Sequence, residues 1–125
     1  MDVKAYFSRV KGRGFLATAD AAGEVDIAVY SRPRVLEDGT LVFGMADRLT
    51  HANLTENPHA VYAFHEGAFR GVRLFLEKIG EEEDGPLLDD VRARAAGLGL
   101  GWARRRRFYD WACSRVRMEP DRGVR

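Results

Sequence analysis

The sequence predicts a mainly β protein: a small β barrel carrying two or three helices. Three observations predict it. Short runs that alternate or are wholly apolar recur at 15–19, 25–30, 41–45, 60–64 and 69–79, and Gly, Asp, Asn or Pro separates them. The helical patterns between and after them are brief. Ala60-Val61-Tyr62-Ala63-Phe64 is apolar at every position, which predicts a strand buried on both faces. Many short strands with few helices suit a closed or partly closed barrel.

Asp2 to Arg9 reads as a short amphipathic helix with Val3, Tyr6, Phe7 and Val10 on one side. Gly12-Arg13-Gly14 breaks it, and Phe15 to Ala19 forms the first strand. Asp20-Ala21-Ala22-Gly23-Glu24 is a hairpin connection whose glycine allows positive φ. Val25 to Tyr30 is the second strand, and it is allowed to run past Pro33 to Leu36. Pro33 removes a ladder donor, so an edge or a bulge is expected there. Glu37-Asp38-Gly39-Thr40 turns the chain into a third strand, Leu41 to Met45. A three-turn helix follows, with Asp47 as its N-cap and Arg48 and Thr50 in its first turn. It stops at Asn57-Pro58, because a residue before proline is pushed out of the helical region. In the next strand, Phe69 to Ile79, Val72, Leu74 and Leu76 alternate with Arg73, Phe75 and Glu77. Gly85-Pro86-Leu87 opens a helix carrying Val91 and Ala95, and the glycines at 97, 99 and 101 end it. Trp102 to Trp111 fits no single pattern. Ala112 to Met118 reads as a closing strand.

At 125 residues the chain fits one domain, 1–125. Twenty Lys and Arg against 19 Asp and Glu exclude a general nucleic-acid or membrane-surface polyelectrolyte. One cysteine, Cys113, excludes an internal disulfide and a multi-cysteine metal site. His51, His59 and His65 lack metal-type spacing with carboxylates, so no metal is expected. There is no Gly-x-Ser-x-Gly, P-loop or dinucleotide-type glycine turn. No run has transmembrane length and no signal peptide opens the chain, so a cytoplasmic location without a membrane partner is expected.

Residues 44 to 65 carry the most chemistry. The first amides of a helix have no internal partner and point outward with partial positive charge. Arg48 and Thr50 beside them make an anion site suited to phosphate; the competing reading is an ordinary capped surface helix. Arg32 and Arg34 flank Pro33 and share a face if the strand is regular, as a bidentate phosphate donor or as two solvated edge arginines. Arg104 to Arg107, among Trp102, Phe108 and Tyr109, offers a basic and aromatic surface; its other readings are a solvated helix face or a partner for Glu81 to Asp84.

The order of an Arg-bearing strand (Arg32-Pro33-Arg34-Val35), an Asp38-Gly39 turn, a short strand, an Arg48–Thr50 turn, a helix ending in Asn57-Pro58 and an apolar strand resembles the pyridoxamine 5′-phosphate oxidase-like, FMN-binding family. The resemblance covers about residues 14 to 80 and implies a split β-barrel of Greek-key type. It further implies FMN, held by Arg34 or Arg32 next to Val35 and by Arg48, Leu49 and Thr50 at the phosphate. Tyr30 and Ser31 would run past the flavin ring, and Gly44 and Met45 would lie near the ribityl chain. Leu49 departs from the pattern, since a Lys is common there; the loss of one charge-assisted bond corresponds to about 1.5–3 kcal/mol.

The resemblance also implies a homodimer with flavin sites at the subunit interface, burying roughly 2,000 Å² or more. The activity it implies is flavin-dependent oxidoreduction of an unknown small-molecule substrate. Pyridoxamine 5′-phosphate oxidase activity itself is not expected, since that enzyme's C-terminal Arg- and His-containing substrate segment has no match here. Deazaflavin F420, haem or no cofactor are the alternatives on this fold. A non-catalytic flavin-binding or flavin-free dimer module, and a small anion or nucleic-acid binder using Arg104 to Arg107, are the competing functions.

Overall fold

The computed structural model describes residues 2–46, 48–82 and 108–120. Along the described chain come α1 (Val3–Arg9), β1 (Arg13–Ala19), β2 (Val25–Val29), β3 (Arg34–Val35), β4 (Leu41–Ala46), α2 (Leu49–Glu56), β5 (His59–Gly67), β6 (Arg70–Glu82) and β7 (Phe108–Pro120). The strands form one sheet in the order β2-β1-β5-β6-β7-β4-β3, and every pairing is antiparallel. The architecture is the mainly β, split-barrel type that the sequence predicts. β7 lies between β6 and β4, so the last strand joins two runs distant in sequence.

α1 forms as its spacing predicts. Asp2 caps it, its carboxylate accepting the Ala5 N–H at 3.2 Å. Tyr6, Phe7 and Val10 are buried, with Val3 packed beside them. The Phe7 ring meets Phe64 edge-on at 5.3 Å, and Phe43 meets Tyr62 at 5.1 Å. These aromatic rings, with Leu16, Leu41, Met45, Leu54, Leu74 and Leu76, make the core. In the β1–β2 hairpin, Asp20 accepts the Ala22 and Glu24 N–H groups, each at 2.9 Å, and Gly23 has φ 85°.

Four expectations are corrected. The second strand ends at Val29 and does not run through Pro33; residues 30–33 are irregular, and β3 is a separate two-residue strand. A buried proline in that segment cannot continue a ladder. The α2 N-cap is Arg48, one residue later than expected; Asp47 lies outside the described residues. β5 is not buried on both faces: Ala60, Tyr62 and Phe64 enter the core, whereas Val61 and Ala63 on the opposite face remain half-exposed. The first and closing strands are longer than expected: pairing with β5 extends β1 to Arg13, and pairing with β4 and β6 extends β7 to Phe108 and Pro120. The helix expected at Gly85 to Ala95, the glycines at 97 to 101 and Arg104 to Arg107 lie outside the described residues.

Among the described residues, no helix is long and apolar enough to cross a membrane, and no group of His, Cys, Asp and Glu could hold a metal ion.

Candidate functional site

Of the site residues expected from sequence, Gly44, Met45, Arg48, Leu49 and Thr50 fall along the end of β4 and the start of α2. Arg48 sits at the N-cap with extended backbone (φ −136°, ψ −164°) and no side-chain cap. The first helical bond runs from the Ala52 N–H to the Arg48 carbonyl at 2.9 Å. The Leu49, Thr50 and His51 amides therefore precede the helical ladder. No acidic residue of the helix itself lies in that first turn. Arg48 is exposed, and Leu49 is 58% exposed. The C-terminus is well closed: the Asn57 N–H reaches the Asn53 carbonyl at 2.8 Å, and the Asn57 side chain accepts the His59 N–H at 3.1 Å. Buried Asn53 donates to Thr18 on β1 at 3.1 Å, and Leu54 enters the core. These contacts fix α2 against the sheet and leave its start at the surface.

Thr50 is buried and its hydroxyl bonds to that of Tyr30. Tyr30 packs edge-on against Phe43 at 6.3 Å. Its N–H donates to the Gly14 carbonyl at 3.0 Å, and its carbonyl accepts the Tyr62 hydroxyl at 3.0 Å. Burial pushes the Tyr30 phenol above its ordinary value, with the Thr50 bond opposing. Tyr30 is thus a core aromatic whose backbone groups already have partners. Arg32 lies across the C-terminus of α1: one guanidinium nitrogen donates to the Phe7 and Val10 carbonyls at 2.7 and 2.9 Å. Ser31 is exposed beside it. Arg34 and Val35 are half-buried on β3, opposite Val42 and Leu41. Gly44 is half-buried, whereas the Met45 side chain is in the core. Arg48, Leu49 and Thr50 lie at the start of α2 and Gly44 within β4, Arg34 stands opposite Val42 nearer the other end of β4, and Tyr30, Arg32 and Met45 turn to internal contacts.

Behind the start of α2, His51 contacts Glu81 of β6, and Lys78 donates to the same carboxylate at 3.1 Å. Burial disfavours the charged Glu81, but the bonds from His51 and Lys78 outweigh it and hold its carboxyl below the usual range. This triad joins α2 to the irregular part of β6, where the register against β7 shifts after Glu77. His51 is thus mostly covered, with Glu81 as its partner.

A second feature lies on the outer sheet face. Val25, Ile27 and Val29 of β2 are 84%, 66% and 71% exposed. The register sets Ile27 beside Ala17, Val61 and Phe75 in one cross-strand row, and Val29 beside Phe15 and Ala63 in the next. An open, mostly apolar trough crosses this face, lined by Ala17, Val25, Val61 and Phe75 with His59 and Glu77 at its end. The alternation of Val25, Ile27 and Val29 signalled this face in the sequence, but a strand pattern alone does not say which side lacks a cover.

No protein-family model matches the chain, and no curated protein matches it by sequence. Solved structures do share its fold. An FMN-binding protein from Syntrophomonas wolfei subsp. wolfei superposes with a TM-score of 0.76 at 20% identity, over 94% of this chain and 83% of that one. A pyridoxamine 5′-phosphate oxidase-related, FMN-binding protein from Nostoc punctiforme has a TM-score of 0.62 at 16% identity, over 86% of this chain and 72% of the other. HutZ, the haem storage protein from Vibrio cholerae, has a TM-score of 0.61 at 15% identity over 99% of both chains. The fold is therefore that of the pyridoxamine 5′-phosphate oxidase-like split barrels, whose known members include both flavin and haem binders.

Proposed function

We propose that this chain is an FMN-binding flavoprotein, that it acts as a two-fold dimer, and that the flavin serves oxidoreduction of a small molecule. The observation that carries the reading is the start of α2: three amides ahead of the helical ladder, no side-chain cap, no acid in the first turn and Arg48 at the lip. That donor set fits a phosphate dianion. The likeness of fold to FMN-binding proteins supports FMN as its carrier.

In this reading the Leu49, Thr50 and His51 amides hold the phosphate and Arg48 adds charge at the lip, while Arg34, opposite Val42 on β3, is the second candidate for a charged contact. Buried Thr50 anchors the first turn of α2 on its inner side. In this reading Gly44, without a side chain, lies on the ribityl side of the site. Bound FMN supplies hydride or single-electron transfer, and the chain positions it and sets its electrostatics. The apolar outer face is the surface a second subunit would cover.

The site makes affinity depend on the phosphate. FMN is expected to bind at least about tenfold more tightly than riboflavin, the equivalent of one charged hydrogen bond. Fluorescence titration of both ligands measures it, and equal affinities overturn the phosphate site. Haem is the second reading, favoured by the end-to-end likeness to a haem storage protein. It requires an axial ligand, and His59 and His65 both stand on the outer face. The absorption spectrum of the purified protein distinguishes them: a flavin spectrum supports the first reading and a Soret band the second.

A further inference from the structure

From Val72 to Glu77, β6 pairs with β7 in regular register, and Glu77 is also the last residue that β6 pairs with β5, opposite His59. Beyond that point the Lys78 N–H donates to the Pro58 carbonyl at 2.8 Å, and the strand runs on past the start of β5 with β7 as its ladder partner. Its register then slips twice. Glu77 faces Arg115, Lys78 faces Cys113 and Gly80 faces Ala112, so Ser114 on β7 and Ile79 on β6 each stand outside the pairing. In a regular strand, residues three apart point to opposite faces. Here the extra Ile79, 53% exposed, changes the phase. Lys78 and Glu81 consequently share a side, and the Lys78 ammonium donates to the Glu81 carboxylate at 3.1 Å. The same carboxylate meets the His51 ring.

His51 belongs to the first turn of α2. That turn has no side-chain cap, and α2 is only eight residues long. An uncapped start on so short a helix frays, because little cooperative structure stands behind it. Within the turn Thr50 is buried and Leu49 exposed. His51 secures the flank: its side chain is 15% exposed and that of Glu81 28%. An acid at the usual place, the N-cap, orders a helix start by accepting one of its amides and so occupies that donor. Both partners of Glu81 are side chains, so it takes none of the amides of α2.

We infer that Glu81 is a positioning residue for the phosphate cradle: through the His51 ring it holds the first turn of α2 as an N-cap would, without occupying the amides. The inference rests on the flavin reading, in which those amides hold the phosphate of FMN. The double slip in β6 has a use in this arrangement, since it is what turns Glu81 to the side of Lys78 and His51. The charge of Glu81 alone would act the other way. A carboxylate near the site of a dianion weakens binding, and Lys78 offsets only part of that charge. Positioning and bare charge therefore predict opposite signs when Glu81 is neutralised.

Fluorescence titration of FMN and riboflavin into the full chain, and into Glu81→Gln, His51→Ala and the double variant, tests the inference. Each single variant is expected to weaken FMN about tenfold, the worth of one charged hydrogen bond, and to leave riboflavin within twofold. The double variant is expected to be no weaker than either single one, since both remove the same contact. Both side chains are partly exposed, so the variants should fold, and thermal melts check this. A contact with a structural role alone would lower the melting temperature and leave the ratio of FMN to riboflavin affinity at the parent value; that result overturns the inference. Tighter FMN binding by Glu81→Gln also overturns it, as do losses that add in the double variant. If the parent chain prefers FMN and the variants match it, the flavin reading stands and the positioning role alone is defeated. A parent chain with no preference for FMN removes the phosphate from α2, and this inference with it.

Discussion

At the scale of single residues, Tyr62 organises the inner end of the barrel. It is fully buried, packs on Phe43 and Phe7, and gives its hydroxyl to the Tyr30 carbonyl. Gly14 makes room for that hydroxyl: a Cβ there would lie 1.9 Å from the Tyr62 Oη and 2.5 Å from the Tyr30 oxygen. Tyr62→Phe should cost about 1–3 kcal/mol, since a buried carbonyl loses its partner. Gly14→Ala should cost more, and adding Tyr62→Phe should not rescue it, because the clash with the Tyr30 backbone remains. Urea denaturation of the single and double variants measures this, and full rescue contradicts it. Burial also pushes the Tyr62 phenol well above its ordinary 10.0, against a smaller opposing pull from Arg32. The unfolded chain then loses this proton first as pH rises, so stability holds below 10 and is lost as pH climbs through the folded value. Tyr62→Phe should therefore flatten the alkaline decline in stability. The sequence marked Tyr62 as core, from its apolar run, but not its pairing with Gly14, which is 48 positions away and visible only once β1 meets β5. In the same way Arg32 and Arg34 looked equivalent beside Pro33; the break at residues 30–33 sends Arg32 to the carbonyls of α1 and leaves Arg34 on β3.

At the scale of elements, α2 trades local stability for an open end. Its C-terminus, anchored by Asn57 and Asn53, was legible from Asn57-Pro58. Its N-terminus was not: Asp47 looked like the cap, yet the helix starts after Arg48, a residue that offers no acceptor to the first amides. An N-cap carboxylate would satisfy one of those amides and oppose the helix dipole, at a gain of about 0.5–2 kcal/mol. Arg48→Asp should therefore raise the melting temperature of the flavin-free protein. The same change puts a negative charge where the phosphate is proposed to sit, so FMN should lose its advantage over riboflavin. Differential scanning calorimetry and paired flavin titrations test both halves. A variant that is stabilised and still prefers FMN removes the phosphate from α2. A variant that is destabilised means Arg48 contributes to the fold by a contact other than capping. The Glu81 triad behind α2 has the opposite sign with pH: its carboxyl is held low, so its support is complete above the ordinary carboxylate value and fades as pH falls through the folded one.

At the scale of the whole molecule, the wholly apolar run of β5 held more information than one chain can display. Five consecutive apolar residues predicted burial on both faces, and the chain alone buries the even-numbered face. Val61 and Ala63 instead continue a surface that runs through Phe15 and Ala17 to Val25, Ile27 and Val29 at the exposed edge strand. Strand order and register could not be read from local pattern, because they depend on pairings such as β4 with β7 that span more than sixty residues. The apolar content of both faces could be, and one of those faces is the one that the fold leaves bare. A patch of this kind is uncommon on a monomer and marks an interface. A second copy of the chain, packed face to face about a two-fold axis, would bury roughly 2,000 Å² if the interface is of the obligate kind. Ile27→Glu tests it at a position 66% exposed in the single chain. Exposed substitutions change folding stability by only about 0.5 kcal/mol, so the variant should fold normally and sediment as a monomer at concentrations where the parent chain is a dimer. If the flavin site is shared between subunits, FMN affinity should fall with it, and added FMN should restore part of the dimer by mass action. A parent chain that sediments as a monomer while binding one FMN per chain would show that the bare face serves something other than self-association.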